Sequence, residues 1–100
     1  MHIVAVTACP TGIAHTYMAA ERLEKVAKEL GHTIKVETQG AIGIENELTA
    51  ADIAKADVVI LATDIAIEKA SRFAGIKKKV EIPVQRVLKD AKAVLDGIKP

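Results

Sequence analysis

The chain contains a single cysteine, and its neighbours make it a candidate for covalent chemistry. Cys9 lies between an apolar run at residues 2–7, which predicts a strand, and a run at residues 13–30 in which apolar residues recur at helical spacing. A helix start presents backbone N–H groups and about half a positive charge, which favours a thiolate and can hold a phosphoryl group. The loop also contains Pro10 and Gly12. We therefore expect Cys9 to be a nucleophile that carries phosphate, rather than a thiol that packs as a small apolar side chain.

Length and composition narrow the class of protein. A chain of 100 residues suits one domain, residues 1–100, with a single core. Half of the residues are apolar, the formal net charge is +1, and the aromatic residues are Tyr17 and Phe73, so we expect no nucleic-acid surface. One cysteine forms neither an internal disulfide nor, by itself, a zinc site, which fits a reducing cytoplasm. No metal and no cofactor are expected.

The amino-terminal segment resembles neither a signal peptide nor a membrane span. Residues 1–20 carry no Lys, Arg, Asp or Glu, but the segment lacks a basic start, and polar residues, proline and glycine interrupt its apolar run. No other segment is long enough to cross a bilayer. The sequence therefore predicts a soluble, cytoplasmic protein.

The order of the elements predicts an α/β fold. Strands are predicted near residues 3–7, 34–38, 57–63 and 80–82, and helical segments near 11–30, 49–56, 65–73 and 84–98. Such alternation implies an open four-stranded parallel sheet with helices on both faces, a three-layer sandwich. Because the first and third strands are the most apolar, the expected strand order is 2-1-3-4. The crevice between these two central strands then falls on the Cys9 loop.

Three local patterns refine these elements. Residues 34–38 alternate apolar and polar, which is typical of a strand with one face wet or partly covered, near a sheet edge. Gly31 is predicted to end the first helix in the left-handed conformation. Thr49 followed by Asp52 is predicted to cap the start of the second helix.

Two further segments are predicted to lie at the same sheet edge as Cys9. Residues 39–44 form a glycine-punctuated loop after the second strand, and Asp64 ends the third strand. Gly40, Ile42 and Asp64 are candidate partner contacts, with a proton donor as a second functional interpretation of Asp64. Ile42 packing back on the core is an alternative, and so is Asp64 capping the predicted helix at residues 65–73. Arg72 and the lysines at 77–79 are interpreted mainly as a solvated basic face, with contact to an acidic partner or phosphate as the alternative.

A phosphorylated cysteine has two fates, hydrolysis or transfer to another acceptor. Cysteine phosphatases place an arginine six residues after the nucleophile, where it binds the phosphate with two parallel hydrogen bonds. In this chain that position is His15, and no aspartate precedes a proline to serve as general acid. The residues therefore favour a phosphoryl carrier over a phosphatase or an arsenate-reductase-like enzyme. A flavodoxin-like binding module is a third hypothesis, disfavoured because the loop offers no aromatic neighbours for a flavin.

The loop closely resembles the fructose-type IIB domain of the bacterial phosphoenolpyruvate-dependent sugar phosphotransferase system. The resemblance is strongest over Val6-Thr7-Ala8-Cys9-Pro10-Thr11-Gly12-Ile13-Ala14-His15-Thr16 and Met18-Ala19-Ala20-Glu21. It continues through Glu37-Thr38-Gln39-Gly40, Gly43, Asp57-Val58-Val59-Ile60 and Arg72-Phe73. In layout it extends over the whole chain.

The resemblance implies a phosphotransferase component of sugar uptake. Cys9 would accept a phosphoryl group from a phosphohistidine on a IIA partner and transfer it to a sugar bound by a membrane IIC partner. Fructose leaving as fructose 1-phosphate would be the usual product, and mannose derivatives are an alternative. The protein would then associate with the inner face of the membrane through IIC.

The resemblance also implies a phosphate-binding loop, and the helix-start argument predicts the same segment. Backbone amides of residues 11–16 would be the main ligands, with the hydroxyls of Thr11 and Thr16 as additional donors. For His15 the alternatives are donation to the phosphate, orientation of the loop and contact with IIA. The complete predicted loop is Pro10, Thr11, Gly12, Ile13, Ala14, His15 and Thr16.

Overall fold

A five-stranded sheet forms the centre of the computed structural model, which describes residues 2–8, 13–40, 43–74, 76 and 78–97. The strands lie in the order β3-β2-β1-β4-β5, with β1, β2, β4 and β5 parallel and β3 antiparallel to β2. Along the chain the elements are β1 (His2–Ala8), α1 (Ile13–Glu29), β2 (Thr33–Gly40), β3 (Gly43–Glu45), α2 (Ala50–Lys55), β4 (Val58–Thr63), a 3₁₀ helix (Ala70–Phe73), β5 (Lys79–Ile82) and α3 (Val84–Asp96).

The middle of the sheet is β1. It pairs in parallel with β2 on one side and with β4 on the other, and its residues 3–8 are all buried. Burial on both faces explains its unbroken apolar sequence. Its last residue, Ala8, lies beside Gln39 of β2 and Thr63 of β4. The chain therefore enters the segment that contains Cys9 from the centre of the carboxyl edge of the sheet.

Alternate side chains of β1 contribute to two separate core clusters. Ile3 and Ala5 belong to the cluster formed with α1 and α3, whereas Val4 and Val6 belong to the cluster formed with α2 and the 3₁₀ helix. Phe73, which is fully buried, contributes to the second cluster. Because successive side chains of a strand point to opposite faces, the two clusters place helices on both sides of the sheet. The predicted α/β class is confirmed.

The sheet differs from the prediction at its β2 side. Four residues of the predicted loop at 39–44 belong to strands: β2 continues to Gly40, and Gly43 pairs with it at the start of β3. Residues 41 and 42 lie outside the described residues. The φ of Gly43 is +98°, a conformation open to glycine because it has no Cβ. The added strand covers backbone groups that β2 would expose as an edge strand. The predicted four-stranded, all-parallel sheet and its overall strand order are therefore wrong, although the four parallel strands follow one another as β2-β1-β4-β5.

The helix predicted at residues 65–73 is also wrong. The helical part is confined to the 3₁₀ turn Ala70–Phe73, and Lys69 before it has a left-handed φ of +59°. Glu68 instead uses its backbone N–H and carbonyl to bond the side chain of Gln39 on β2. These tertiary hydrogen bonds outweigh the helical propensity of the segment, since propensity is a weak determinant of local structure.

Two predicted helix ends are confirmed. Gly31 has a φ of +80°, and the N–H of His32 donates to the carbonyl of Ala27 at 2.8 Å, which ends α1 with a left-handed residue. At the start of α2, the Thr49 hydroxyl accepts from the N–H of Asp52 at 3.1 Å, and the Asp52 carboxylate accepts from the N–H of Thr49 at 2.9 Å. This reciprocal pair is the capping box that the sequence predicts.

The closing helix α3 is interrupted once. Asp90 has non-helical dihedral angles, φ −160° and ψ 82°, and its carboxylate accepts from the N–H of Ala93 at 3.0 Å. Asp90 thus acts as the N-cap of the second half of α3. A break of this kind releases carbonyls of the preceding turn, and Arg22 of α1 donates to the carbonyl of Leu88 at 2.9 Å. The contact joins the two helices of that layer.

Candidate functional site

The candidate site lies at the carboxyl edge of the sheet, where β1 ends and α1 begins. Residues 9–12 connect Ala8 to Ile13. Cys9, Pro10, Thr11 and Gly12 lie outside the described residues, so their proposed roles stay predictions. The backbone of Ile13 and Ala14 belongs to α1. What the structure describes is the frame that holds both ends of this connection.

A buried hydrogen bond fixes the first turn of α1 to the end of β1. The hydroxyl of Thr7 donates to the carbonyl of Thr16 at 3.0 Å, and both residues are fully buried. The same turn exposes His15. The end of β1 and the start of α1 are therefore held in one position relative to each other.

The amino end of α1 is suited to an anion. The amides of a first helical turn have no acceptor within the helix and give that end a partial positive charge. In α1 the first turn contains no acidic residue. No carboxylate within that turn therefore competes for these donors.

Asp64 lies at the same edge, as the sequence predicts, but with a different role from the predicted cap. Its N–H donates to the carbonyl of Ala8 at 3.1 Å. Its carboxylate accepts from the N–H of Val84, the first residue of α3, at 3.2 Å. Asp64 thus stabilises the start of α3, not a helix at residues 65–73. Asp64 is an exposed residue at this edge of the sheet.

Gly40 lies at the end of β2, and the remaining candidate contact, Ile42, is outside the described residues. A Cβ on Gly40 would be 3.5 Å from the Tyr17 hydroxyl oxygen, an ordinary contact. That hydroxyl donates to a carboxylate oxygen of Glu45 on β3 at 2.7 Å. The hydrogen bond to Glu45, with smaller effects of burial and of the Glu45 charge, raises the pKa of Tyr17. Tyr17 therefore connects α1 to the β2–β3 hairpin.

A buried ion pair next to the site was not predicted from the sequence. Glu37 of β2 is fully buried, and its two oxygens accept from the two terminal nitrogens of Arg72 at 2.7 and 2.9 Å. The same carboxylate accepts from the N–H of Leu48 at 2.8 Å and from Nε2 of Gln39 at 2.7 Å. The Arg72 guanidinium also lies 4.9 Å from the centre of the Phe73 ring. Arg72 is therefore an internal structural residue, and the prediction that it belongs to a solvated face is wrong.

The charges of this pair follow from its contacts. Burial acts to raise the pKa of Glu37, but the hydrogen bonds from Arg72, Gln39 and the N–H of Leu48 outweigh it, and the pKa lies below its usual 4.5. The hydrogen bonds to Glu37 raise the pKa of Arg72 in turn. Both groups are charged at neutral pH. The alternating pattern of β2 gave no sign of this, because it does not show which polar residue is covered.

Neither a metal-binding cluster nor a membrane-spanning helix is found in the described part of the chain. Its His, Asp and Glu side chains form no group of three or more that could hold a metal ion. Within those ranges no helix has the length and apolar character needed to cross a membrane.

Comparison with known proteins identifies the family. Residues 4–97 match the family model described as "PTS system, Lactose/Cellobiose specific IIB subunit". The chain belongs to this IIB family. IIB components are phosphotransferase parts of the sugar phosphotransferase system, so the resemblance seen in the sequence is confirmed.

Relatives of this IIB chain have names that refer to fructose-like systems and to systems for other sugars. "PTS system fructose-like EIIB component 2" of Escherichia coli (strain K12) is 57% identical over 97 residues, which covers 97% of this chain and 91% of the relative. "PTS system 2-O-alpha-mannosyl-D-glycerate-specific EIIABC component" of the same strain is 50% identical over 93 residues, 93% of this chain and 14% of the relative. A crystal structure described as a predicted fructose-specific IIB from Escherichia coli has a TM-score of 0.89 at 44% identity, covering 97% of this chain and 85% of that one.

Proposed function

We propose that Cys9 is the phosphoryl carrier of this IIB chain. It accepts a phosphoryl group from a phosphohistidine on a IIA partner and transfers it to a sugar bound by a membrane IIC partner, with fructose leaving as fructose 1-phosphate. The observation that carries the proposal is position: Cys9 follows the last residue of the central strand and lies in the short connection to the amino end of α1. In open α/β sheets, ligands bind in the crevice outside the carboxyl ends of the central strands, and Cys9 follows one of these strands in the sequence.

The transfer has two steps, and each exchanges one bond to phosphorus. In the first, the thiolate of Cys9 attacks phosphorus, an S–P bond forms, and the N–P bond of the phosphohistidine breaks with the electron pair returning to the imidazole. In the second, a sugar hydroxyl oxygen attacks phosphorus, the S–P bond breaks, and the thiolate leaves. The hydroxyl proton passes to a base or to water. Thiolate is consumed in the first step and restored in the second.

The environment of the loop suits a carrier better than a hydrolase. The amides at the start of α1 can bind the phosphoryl oxygens, and the position six residues after Cys9 holds His15 where a phosphatase has arginine. Without the arginine, the phosphoryl group on Cys9 is bound less tightly than in a phosphatase. This favours transfer to the sugar, because interactions that stabilise the phosphorylated cysteine do not lower the barrier to its reaction. We propose that residues 10–16 form the phosphate-binding loop.

The names of the relatives support the choice of partners. The mannosylglycerate-specific relative is named EIIABC, with A, B and C components in one chain. We propose IIA and IIC partners for this chain, a cytoplasmic location at the inner face of the membrane, and contacts at Gly40, Ile42 and Asp64. Ile65, next to Asp64, is 42% exposed, which suits a contact that forms and dissociates. Fructose is proposed from the fructose-like names, with the lactose/cellobiose and mannosylglycerate descriptions as the alternatives to test.

Mass measurement after enzymatic phosphorylation tests the proposal. The protein is incubated with phosphoenolpyruvate, the general phosphocarriers of the system and a IIA, and its intact mass is measured. We expect a gain of one phosphoryl group in the wild type and in His32→Asn, a histidine beyond the far end of α1, and no gain in Cys9→Ser. Addition of membranes containing IIC and each candidate sugar then identifies the acceptor.

Three results would contradict the proposal. A mass gain that survives in Cys9→Ser would place the phosphoryl group on another residue. Hydrolysis of a phosphate ester without any partner would indicate a phosphatase. If the mass of the wild type does not change in the presence of an active IIA, a non-catalytic binding module is the remaining hypothesis.

A further inference from the structure

The connection between β4 and the 3₁₀ helix, residues 64–69, crosses the sheet beside the end of β1. At one end the N–H of Asp64 donates to the carbonyl of Ala8 at 3.1 Å. Near the other end, Glu68 lies against β2, where its N–H donates to Oε1 of Gln39 at 2.8 Å and its carbonyl accepts from Nε2 of Gln39 at 3.1 Å. Since β1 lies between β4 and β2, and strands are about 4.8 Å apart, the connection spans about 10 Å. We call residues 64–69 the strap.

The strap passes on the α2 side of the sheet. Val36 of β2 belongs to the core cluster on the α1 and α3 side, so Gln39, three residues later, extends toward α2. On β1, Val6 belongs to the α2-side cluster, and Ala8 faces the same way because it is two residues further along. Ala8 is fully buried and lies level with Gln39. The strap therefore covers the residue that immediately precedes Cys9.

Gln39 is held so that its amide can bind the strap in only one orientation. Its Nε2 donates both to the Glu37 carboxylate at 2.7 Å and to the carbonyl of Glu68, and its Oε1 accepts from the N–H of Glu68. If the amide were flipped, its oxygen would face the Glu37 carboxylate and the Glu68 carbonyl, which are both hydrogen-bond acceptors. Glu37 is in turn fixed by Arg72, whose Nε donates to the carbonyl of Lys69 at 2.8 Å. The buried ion pair and the amide thus fix the strap together.

We propose that Gln39 is a positioning residue for phosphoryl transfer at Cys9, because its amide fixes the strap as the α2-side wall of the site. The inference rests on the proposed function and adds a residue to it. Reaction within a bound complex needs the reacting atoms in near-attack geometry, so a displacement of about 1 Å can lower the rate by about a hundredfold. The end of β1 stays held by its neighbouring strands when Gln39 is removed, but the strap would no longer have a fixed position over Ala8, the residue that leads into Cys9.

Single-turnover kinetics test the inference. Phosphorylated IIA is mixed with the protein over a range of IIA concentrations, and phosphoryl transfer to Cys9 is followed by rapid quenching. In Gln39→Ala we expect the maximal rate to fall about tenfold to a hundredfold. The half-saturating IIA concentration should stay unchanged, because Asp64, the proposed partner contact within the strap, keeps its own hydrogen bonds to Ala8 and Val84. If Gln39→Ala does not fold, Gln39→Asn is used, because its shorter side chain cannot reach Glu37 and Glu68 together.

Lys35→Met is the matched control. Lys35 lies on the same strand nearer its other end and forms an ion pair with Asp52 of α2 at 2.7 Å. Lys35 also donates to the carbonyl of Glu47 at 3.0 Å, whereas the strap contacts the carboxylate of Glu47 through Lys69. Loss of Lys35 therefore removes links between β2 and the same layer but no hydrogen bond of the strap itself, so the maximal rate should stay that of the wild type.

Each other outcome overturns the inference in a distinguishable way. If the maximal rate of transfer in Gln39→Ala equals that in Lys35→Met, Gln39 has no positioning role. A change confined to the half-saturating concentration would make Gln39 a contact for IIA instead. A wild type that receives no phosphoryl group would overturn the proposed function and this inference with it, whereas normal transfer in both wild type and Gln39→Ala would overturn only the inference.

Discussion

Removal of Arg72 is expected to destabilise the protein far more than its location on a surface-facing segment indicates. The carboxylate of Glu37 is fully buried, and the Arg72 side chain is only 17% exposed. Arg72→Met leaves Glu37 with the N–H of Leu48 and the amide of Gln39 as donors but with no compensating charge. Breaking a buried ion pair by removing one partner costs about 3–5 kcal/mol in the free energy of unfolding.

That loss is a large part of the stability of a small domain, which is about 5–15 kcal/mol in total. For a domain of this length each kcal/mol lowers Tm by about 4–8 °C, so we expect Arg72→Met to lower Tm by at least about 12 °C. The control is Lys69→Met in the same segment, which breaks the Lys69–Glu47 pair. The side chains of Lys69 and Glu47 are 53% and 46% exposed. Exposed pairs contribute about 0–1 kcal/mol, so this variant should remain close to the wild type.

The pH dependence gives a second check on the same residues. Because the pKa of Glu37 is lowered below 4.5 in the folded protein, the unfolded chain binds its proton first. The stability from the pair is therefore complete above pH 4.5 and is lost as the pH falls through the folded-state pKa. In Arg72→Met, burial without the arginine raises the pKa of Glu37, so the variant loses its uncompensated charge by protonation as the pH falls. The difference in unfolding free energy between wild type and Arg72→Met should therefore be largest at neutral pH and narrow as the pH falls.

Urea unfolding followed by circular dichroism, at neutral pH and at a series of lower pH values, measures both effects. Equal losses of stability in Arg72→Met and Lys69→Met would refute the reasoning, because they would show that burial does not distinguish the two pairs. A difference between wild type and Arg72→Met that widens as the pH falls would refute the assigned direction of the Glu37 pKa.

Two titrations test the other perturbed groups. Tyr17 is the only tyrosine of the sequence, so ultraviolet titration reports its pKa alone. We expect a titration midpoint above 10.0 that moves back toward 10.0 in Glu45→Gln. A wild-type midpoint at or below 10.0 would contradict the hydrogen bond to Glu45. The hydrogen bond from Lys35, together with those from Thr49, lowers the pKa of Asp52 from 3.8 to about 2. Carboxyl NMR should show this value rising toward 3.8 in Lys35→Met, and the stability linked to Asp52 should be present above pH 3.8 and lost as the pH falls toward 2.

The sequence predicted the elements whose signals are local. The apolar runs of β1 and β4 were recognised because strands buried on both faces need no alternation. Gly31 and the Thr49–Asp52 pair marked helix ends because caps act within a few residues of the chain. The single cysteine between a strand and a helix was sufficient to propose the site.

Errors arose where contacts distant in sequence decide the structure. The alternation of β2 predicted a face that is wet or partly covered, and did not show that Glu37 is fully buried. Its burial is possible because Arg72, thirty-five positions away, neutralises it. Residues 65–69 have helical propensity, but Gln39 holds Glu68 in a non-helical strap. The strand β3 was missed because its three residues are stabilised by pairing with β2 and carry no apolar pattern of their own.

The sequence by itself therefore determined the α/β class, the parallel strands, the helix caps and the nucleophile, because each depends on residue type and short-range spacing. Only the tertiary structure decided what surrounds the end of β1: the strap, the amide of Gln39 and the buried Glu37–Arg72 pair. The physical reason is that a buried charge or amide is stable only beside its partners. Which residues become those partners is decided when the chain folds.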